Sequence, residues 1–171
     1  MRLKFFTLTV ILLVAFTLRF YDLAQIPNGL HWDEQDTGYQ ALSLFQTGCD
    51  YHGNPMPLFP HSFADYRTPV FIYSAVPIIA KLGLSALSVR LPALIWGMLG
   101  VATLFVLASR MFRSSILGFS ASGLLALSHW HLQYSKKSVE TISLSTLFMV
   151  GLACFYKGLK RPAWLILSGL F

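Results

Sequence analysis

Charge is what this sequence has least of. Only 12% of its 171 residues are Asp, Glu, Lys or Arg, against about 25% in soluble domains. Mean hydropathy is +0.60, and 55% of residues are hydrophobic, so a single water-soluble globule is not the expected class. Acids are scarcest, at seven against thirteen Lys and Arg. A net charge of +6 in a soluble protein would point to nucleic acid. In so apolar a chain it points to cationic residues anchoring helices at a membrane surface, and no nucleic-acid partner is expected. There are two cysteines, Cys49 in a polar loop and Cys154 in an apolar run. That excludes a disulfide framework and any cysteine metal motif. The five histidines lack tight ligand spacing. His129 and His131 stand two apart with no third ligand evident, so neither metal nor cofactor is expected. Internal repeats and low-complexity tracts are absent.

Apolar runs are abundant. Residues 5–21 follow a short basic start, Arg2 and Lys4. A signal peptide would have this shape, but no small-x-small cleavage site follows, so an uncleaved first span is expected. Further spans are expected at about 87–111, 114–134 and 140–156, with a fifth apolar run at 163–171. That run has nine residues, whereas a span needs about 20, so the sequence reads as the front of a longer protein. The fold class expected is all-α, a polytopic membrane helical bundle forming one transmembrane domain.

Residues 22–86 form the outer loop of this arrangement, a long polar stretch over 22–68 followed by an apolar one. Pro69 to Leu84 is apolar but short and interrupted by Pro77. If it crossed, Arg110, Arg113, Lys157, Lys160 and Arg161 would all fall outside, against the positive-inside rule. As a surface or re-entrant helix it leaves all five in the cytoplasm. All seven acids, Asp22, Asp33, Glu34, Asp36, Asp50, Asp65 and Glu140, then lie on the outer side. Arg19, Arg67, Lys81, Arg90, Lys136 and Lys137 join them there. Clustered carboxylates and cations at a lipid surface suit chemistry on a phosphate-bearing lipid.

The densest acidic stretch is His31-Trp32-Asp33-Glu34-Gln35-Asp36-Thr37-Gly38-Tyr39. Asp33 can cap a helix with Asp36 three residues on. Tyr39, Leu42 and Phe45 follow at helical spacing and Gly48 is a natural stop, which predicts a surface helix over about 34–47. On spacing alone, Asp33 as a helix cap and Asp33 as a catalytic carboxylate are equally good readings.

A series of short motifs resembles the family 39 glycosyltransferases of superfamily C, which include protein O-mannosyltransferases and lipid A aminoarabinose transferases. After the first span come Pro27-Asn28-Gly29-Leu30-His31-Trp32-Asp33-Glu34, Gly38-Tyr39-Gln40-Ala41 and Thr47-Gly48. Asp65-Tyr66-Arg67-Thr68-Pro69 and Tyr73 follow. Then come Val89-Arg90-Leu91-Pro92-Ala93-Leu94, Trp130-His131-Leu132-Gln133-Tyr134-Ser135 and Glu140. The match covers about residues 5–160. Each motif alone is weak; their order and their placement against the spans carry the likeness. Where relatives often have Ser-Arg before the second acid, this chain has Ser135-Lys136-Lys137, which keeps the charge but loses the bidentate fork.

The resemblance implies a polyprenyl-phosphate sugar donor and inverting transfer to a lipid, glycan or protein acceptor hydroxyl at the outer face of the cell membrane. It places the family's acidic pair on Asp33 and Glu34 and its second-loop acid on Glu140. Such a transfer needs a base for the acceptor proton and cations for the departing phosphate. Asp33 is the expected base, with Glu34 orienting it or the acceptor. Arg67 and Lys136 are the expected phosphate contacts. Lys137 is read as reaching lipid headgroups, Arg90 as structural, and Trp130 with the nearby histidines as interfacial. Because the last helix is cut short, the 171 residues alone are expected to be inactive. The alternative is a non-catalytic polytopic membrane protein, a transporter component or assembly factor, whose loop acids bind a partner. Transporters hold polar residues near the bilayer midplane, whereas these acids cluster in a loop and at span ends.

Overall fold

The computed structural model describes residues 2–159 and 161–170. Met1, Lys160, Phe171 and the side chains of Arg2 and Leu3 lie outside the described residues, and with them parts of the basic clusters and of the last apolar run. The described chain is mostly helical. In order come α1 (Arg2–Phe20), α2 (Trp32–Thr47), a hairpin of β1 (His61–Ser62) and β2 (Asp65–Tyr66), α3 (Pro69–Leu82), α4 (Ala86–Met111), α5 (Ser115–Leu127), α6 (His129–Tyr134), α7 (Thr141–Gly158) and α8 (Ala163–Ser168).

Helix α4 is the axis of the packing. Ser85 caps it by accepting from the Ser88 N–H at 3.2 Å, while Ser88 Oγ returns to the Ser85 N–H at 2.9 Å. Three buried clusters meet on it. Ala41, Ala75, Ile79 and Val89 join α2, α3 and α4. Ala15, Val101 and Ala126 join α1, α4 and α5. Phe71, Ala93 and Ile142 join α3, α4 and α7. Many of these residues are small, and small residues let helix backbones approach closely without relying on water exclusion. Gly97 is one such close approach: a Cβ there would collide with Ser135 Oγ and lie 2.7 Å from Ser135 Cβ.

Among the described residues, α4 and α7 are the two helices long and apolar enough to cross a membrane. Apolar side chains also face outward, including Phe5, Ile116, Leu124 and Leu144, whereas Arg19, Gln40, Arg90, Ser122, His131 and Ser135 are buried. Helix α3, with Pro69 at its first turn and Pro77 inside, has 14 residues, about 21 Å at 1.5 Å per residue. That is shorter than a hydrocarbon core of about 30 Å.

Four expectations are corrected. The helix cap before the acids is His31, not Asp33. Glu34 reaches back to accept the His31 N–H at 2.9 Å, the reciprocal half of a capping box, while Asp33 is drawn aside to Arg67. The run 114–134 is not one helix but breaks at Ser128. The Ala126 carbonyl, which a continuous helix would give to residue 130, instead accepts from Arg19 Nη1 at 3.1 Å. His131 is not interfacial; it is 1% exposed. Arg19, counted among the outer surface cations, is likewise fully buried.

Candidate functional site

The acids meet at one end of the packed helices. Two residues adjacent in sequence have opposite fates there, because successive helical positions point about 100° apart. Glu34 turns inward and is fully buried. Its Oε1 accepts from Arg90 Nε at 2.8 Å and from the Ser138 N–H at 3.2 Å. Its Oε2 accepts from the His31 N–H at 2.9 Å and Arg90 Nη2 at 3.2 Å. Arg90 spends its remaining donors on the carbonyls of Leu23, Ala24, Pro27 and Gly29. The ion pair thus ties the 23–29 segment, α2, α4 and the turn before α7 together. Arg90 thus makes its hydrogen bonds to Glu34 and to the 23–29 backbone.

Asp33 turns outward, with a side chain 33% exposed. Its Oδ1 accepts from Arg67 Nη2 at 2.6 Å, and Arg67 Nε donates to the buried Asp36 Oδ2 at 2.9 Å. Burial would lower the guanidinium's proton affinity, but the two carboxylates outweigh it and hold the Arg67 pKa above its ordinary value. Asp36 Oδ1 also accepts from Tyr51 Oη at 2.7 Å. Burial, with Asp36 adding to it, pushes the Tyr51 pKa up.

The β1–β2 hairpin delivers Arg67. It pairs His61 with Tyr66 and Ser62 with Asp65, and Asp50 fastens its base. The Asp50 carboxylate is buried, which alone would raise its pKa. Hydrogen bonds from Asn54 Nδ2 and the backbone N–H groups of Asn54, His61 and His52 hold it below the usual carboxylate range instead. Glu140, at the start of α7, accepts from the N–H of Thr68 at 3.1 Å and its hydroxyl at 2.5 Å. It therefore holds the residue next to Arg67.

Asp33, Glu34, Arg67 and Glu140 are thus brought together through direct partners. Lys136 is held elsewhere: Nζ donates to the Tyr21 carbonyl at 2.7 Å. Burial pulls its pKa down, Arg90 adds to this, and Asp22 opposes both. Lys137, assigned to headgroups from sequence, lines a polar cavity of about 390 Å³ with Asn28, His31, Trp32 and Glu34. An adjoining apolar groove of about 360 Å³ shares Pro27 and Lys137 with it. Leu18, Ile26 and Leu132 line this groove, and Lys136 also borders it. On the Asp36 side lies a third hollow of about 490 Å³ walled by Trp32, Tyr39, Tyr51 and Phe63 with Gln35 and Gln46.

One buried group was missed from sequence. Arg19 Nε donates to Ser135 Oγ at 3.2 Å, Nη2 lies 2.8 Å from His131 Nδ1, and Nη1 holds the carbonyls of Ala15 and Ala126. A charged residue inside an otherwise apolar run was the available signal. Among the described residues, no group of three or more His, Cys, Asp or Glu is arranged to hold a metal ion. Comparison with family models, curated proteins and solved structures finds no match.

Proposed function

We propose that this chain is part of a multi-pass membrane glycosyltransferase that uses a polyprenyl-phosphate sugar donor, with its site on the outer face. The observation that carries the reading is the Asp33–Arg67 pair. It is a partly open carboxylate in contact with a partly open guanidinium, 2.6 Å apart, fixed over the buried Glu34–Arg90 pair. These are the two groups such a transfer needs side by side.

Asp33 takes the proton as the acceptor hydroxyl oxygen attacks the anomeric carbon. The bond from that carbon to the phosphate oxygen breaks, and polyprenyl phosphate leaves with the electron pair. Configuration inverts and no covalent enzyme intermediate forms. Arg67 contributes in two ways. Its guanidinium attracts the donor phosphate, and a phosphate that draws it away from Asp33 raises the basicity of the carboxylate. Glu34 is a positioning residue in this scheme, since all its lone-pair directions are taken. Glu140 positions Arg67 through Thr68. The apolar groove bordered by Lys136 and Lys137 suits a lipid tail, and the aromatic hollow suits an acceptor.

The helix packing supports the membrane part of the reading. Arg90 and Arg110 are twenty residues apart on α4, about 30 Å at 1.5 Å per residue, which matches a hydrocarbon core. The acids gather at the Arg90 end, and Arg110, Arg113, Lys157 and Arg161 at the other. One observation favours the non-catalytic alternative: each of Asp33, Glu34, Asp36 and Glu140 already has a protein partner. The two are separated by offering the full-length protein, in vesicles, labelled hexoses and pentoses on polyprenyl phosphate. Transfer, with donor binding weakened by Arg67→Ala, supports the enzyme. Absence of both transfer and donor binding supports the alternative.

A further inference from the structure

The end of the molecule opposite the acids carries its own cavity, of about 500 Å³. Ser109 and Arg110 line it from the end of α4, Arg113 from the α4–α5 link, Tyr156 and Lys157 from the end of α7, and Arg161 from the segment before α8. Four cations converge there and no carboxylate is among the lining residues. Among the described residues none of the four has an acidic partner. Lys157 instead stands 3.2 Å from the centroid of the Trp164 ring. Ser109 Oγ is buried without a hydrogen bond.

An apolar groove of about 410 Å³ adjoins the cavity and shares Arg110 and Lys157 with it. Leu99, Ala102, Val106, Val150 and Ala153 line the groove between α4 and α7. A cationic cup continuous with an apolar groove along two potential spans has the shape of an amphiphile with an anionic head. A free phosphate or nucleotide would use the cup and leave the groove unused.

We infer that this face is a binding site for one anionic glycerophospholipid of the cytoplasmic leaflet. The phosphate lies among Arg110, Arg113, Lys157 and Arg161, and an acyl chain lies along Ala102 and Ala153. Basic pockets between helices on the cytoplasmic side are a recognised setting for anionic headgroups. The inference rests on the membrane reading above and not on sugar transfer, so a protein that transfers no sugar still answers the lipid test.

The experiment uses the full-length protein in neutral detergent. Native mass spectrometry and thermal unfolding are recorded with phosphatidylglycerol, phosphatidylcholine or soluble glycerol 3-phosphate. The expected result is one phosphatidylglycerol retained per chain, a raised Tm with that lipid alone, and no retention of glycerol 3-phosphate. Removing a cation is expected to weaken retention about fivefold, so Arg113→Gln with Arg161→Gln weakens it about 25-fold if the two act independently. Both side chains are exposed, and an unchanged Tm in phosphatidylcholine checks that the variant folds. Ala102→Phe, which fills the groove, weakens retention without changing charge. Lys4→Gln, an exposed cation on α1, is the control and leaves retention unchanged. Equal retention of the two phospholipids, or an equal loss with Lys4→Gln, overturns the site in favour of general surface charge. Equal binding of glycerol 3-phosphate, or full retention by Ala102→Phe, overturns the acyl-chain groove.

Discussion

Replacing Glu34 by Gln changes one oxygen to an NH₂ group, yet it removes the charge opposite a buried guanidinium. All four groups facing the carboxylate are donors: Arg90 Nε, Arg90 Nη2 and the N–H groups of His31 and Ser138. A Gln side chain has one acceptor oxygen, so its NH₂ must point at two of these donors. Both partners of the ion pair are 1% exposed at the side chain, so solvent cannot take over. Breaking a buried pair from one side costs about 3–5 kcal/mol. At about 2–4 °C per kcal/mol for a unit of this size, Glu34→Gln should lower Tm by about 6–20 °C. The neighbouring Asp33→Asn should cost about 0–1 kcal/mol, because that pair is partly solvated. Thermal unfolding of the purified proteins in one detergent reads both. A Glu34→Gln protein that melts within about 2 °C of the parent, half the shift that 1 kcal/mol produces at most, would refute the claim that this pair holds the 23–29 loop, α2, α4 and the turn before α7 together.

Asp50 should tie loop stability to pH. Its folded pKa lies below the unfolded value of about 3.9, so its contribution is complete above that value and is lost as pH falls through the lowered folded pKa. Protection of the His52, Asn54 and His61 amides from hydrogen exchange should therefore fall below about pH 4. Asp50→Asn, which sets an NH₂ against at least one donor, should cost about 1–3 kcal/mol at pH 7. Unchanged protection in both cases would contradict the assignment. For topology, His52→Cys and Phe112→Cys, both at exposed positions, should react oppositely with an impermeant thiol reagent after Cys49 and Cys154 are replaced. His52→Cys should label from outside and Phe112→Cys should not, and equal labelling contradicts the arrangement.

What could be read from the sequence depended on distance along the chain. Helices α4 and α7 follow from apolar runs, and the stop of α2 follows from Gly48, whose φ of 71° suits a residue without Cβ. The hairpin escaped because two residues per strand show no alternation. The inner clusters escaped because their partners are remote. Arg90 and Glu34 are 56 residues apart, and Arg19 and Ser135 are 116 apart. The acids stand out in the sequence as a group. Their separation into an inward Glu34 and an outward Asp33 needed the helix phase, which the misplaced cap did not supply. At the Ser128 break Arg19 takes the Ala126 carbonyl, a tertiary contact that hydropathy does not register.

The most direct test of the proposed chemistry is transfer of labelled sugar from polyprenyl phosphate by full-length Asp33→Asn protein in membranes. Asn keeps the size of Asp33 and can still accept from Arg67, but it cannot take the acceptor proton. Transfer should fall by at least about 10²-fold, with expression, Tm and donor-lipid binding close to the parent's. Near-parental transfer by a well-expressed Asp33→Asn protein would contradict the account, leaving the Asp33–Arg67 pair as a clasp between α2 and the hairpin.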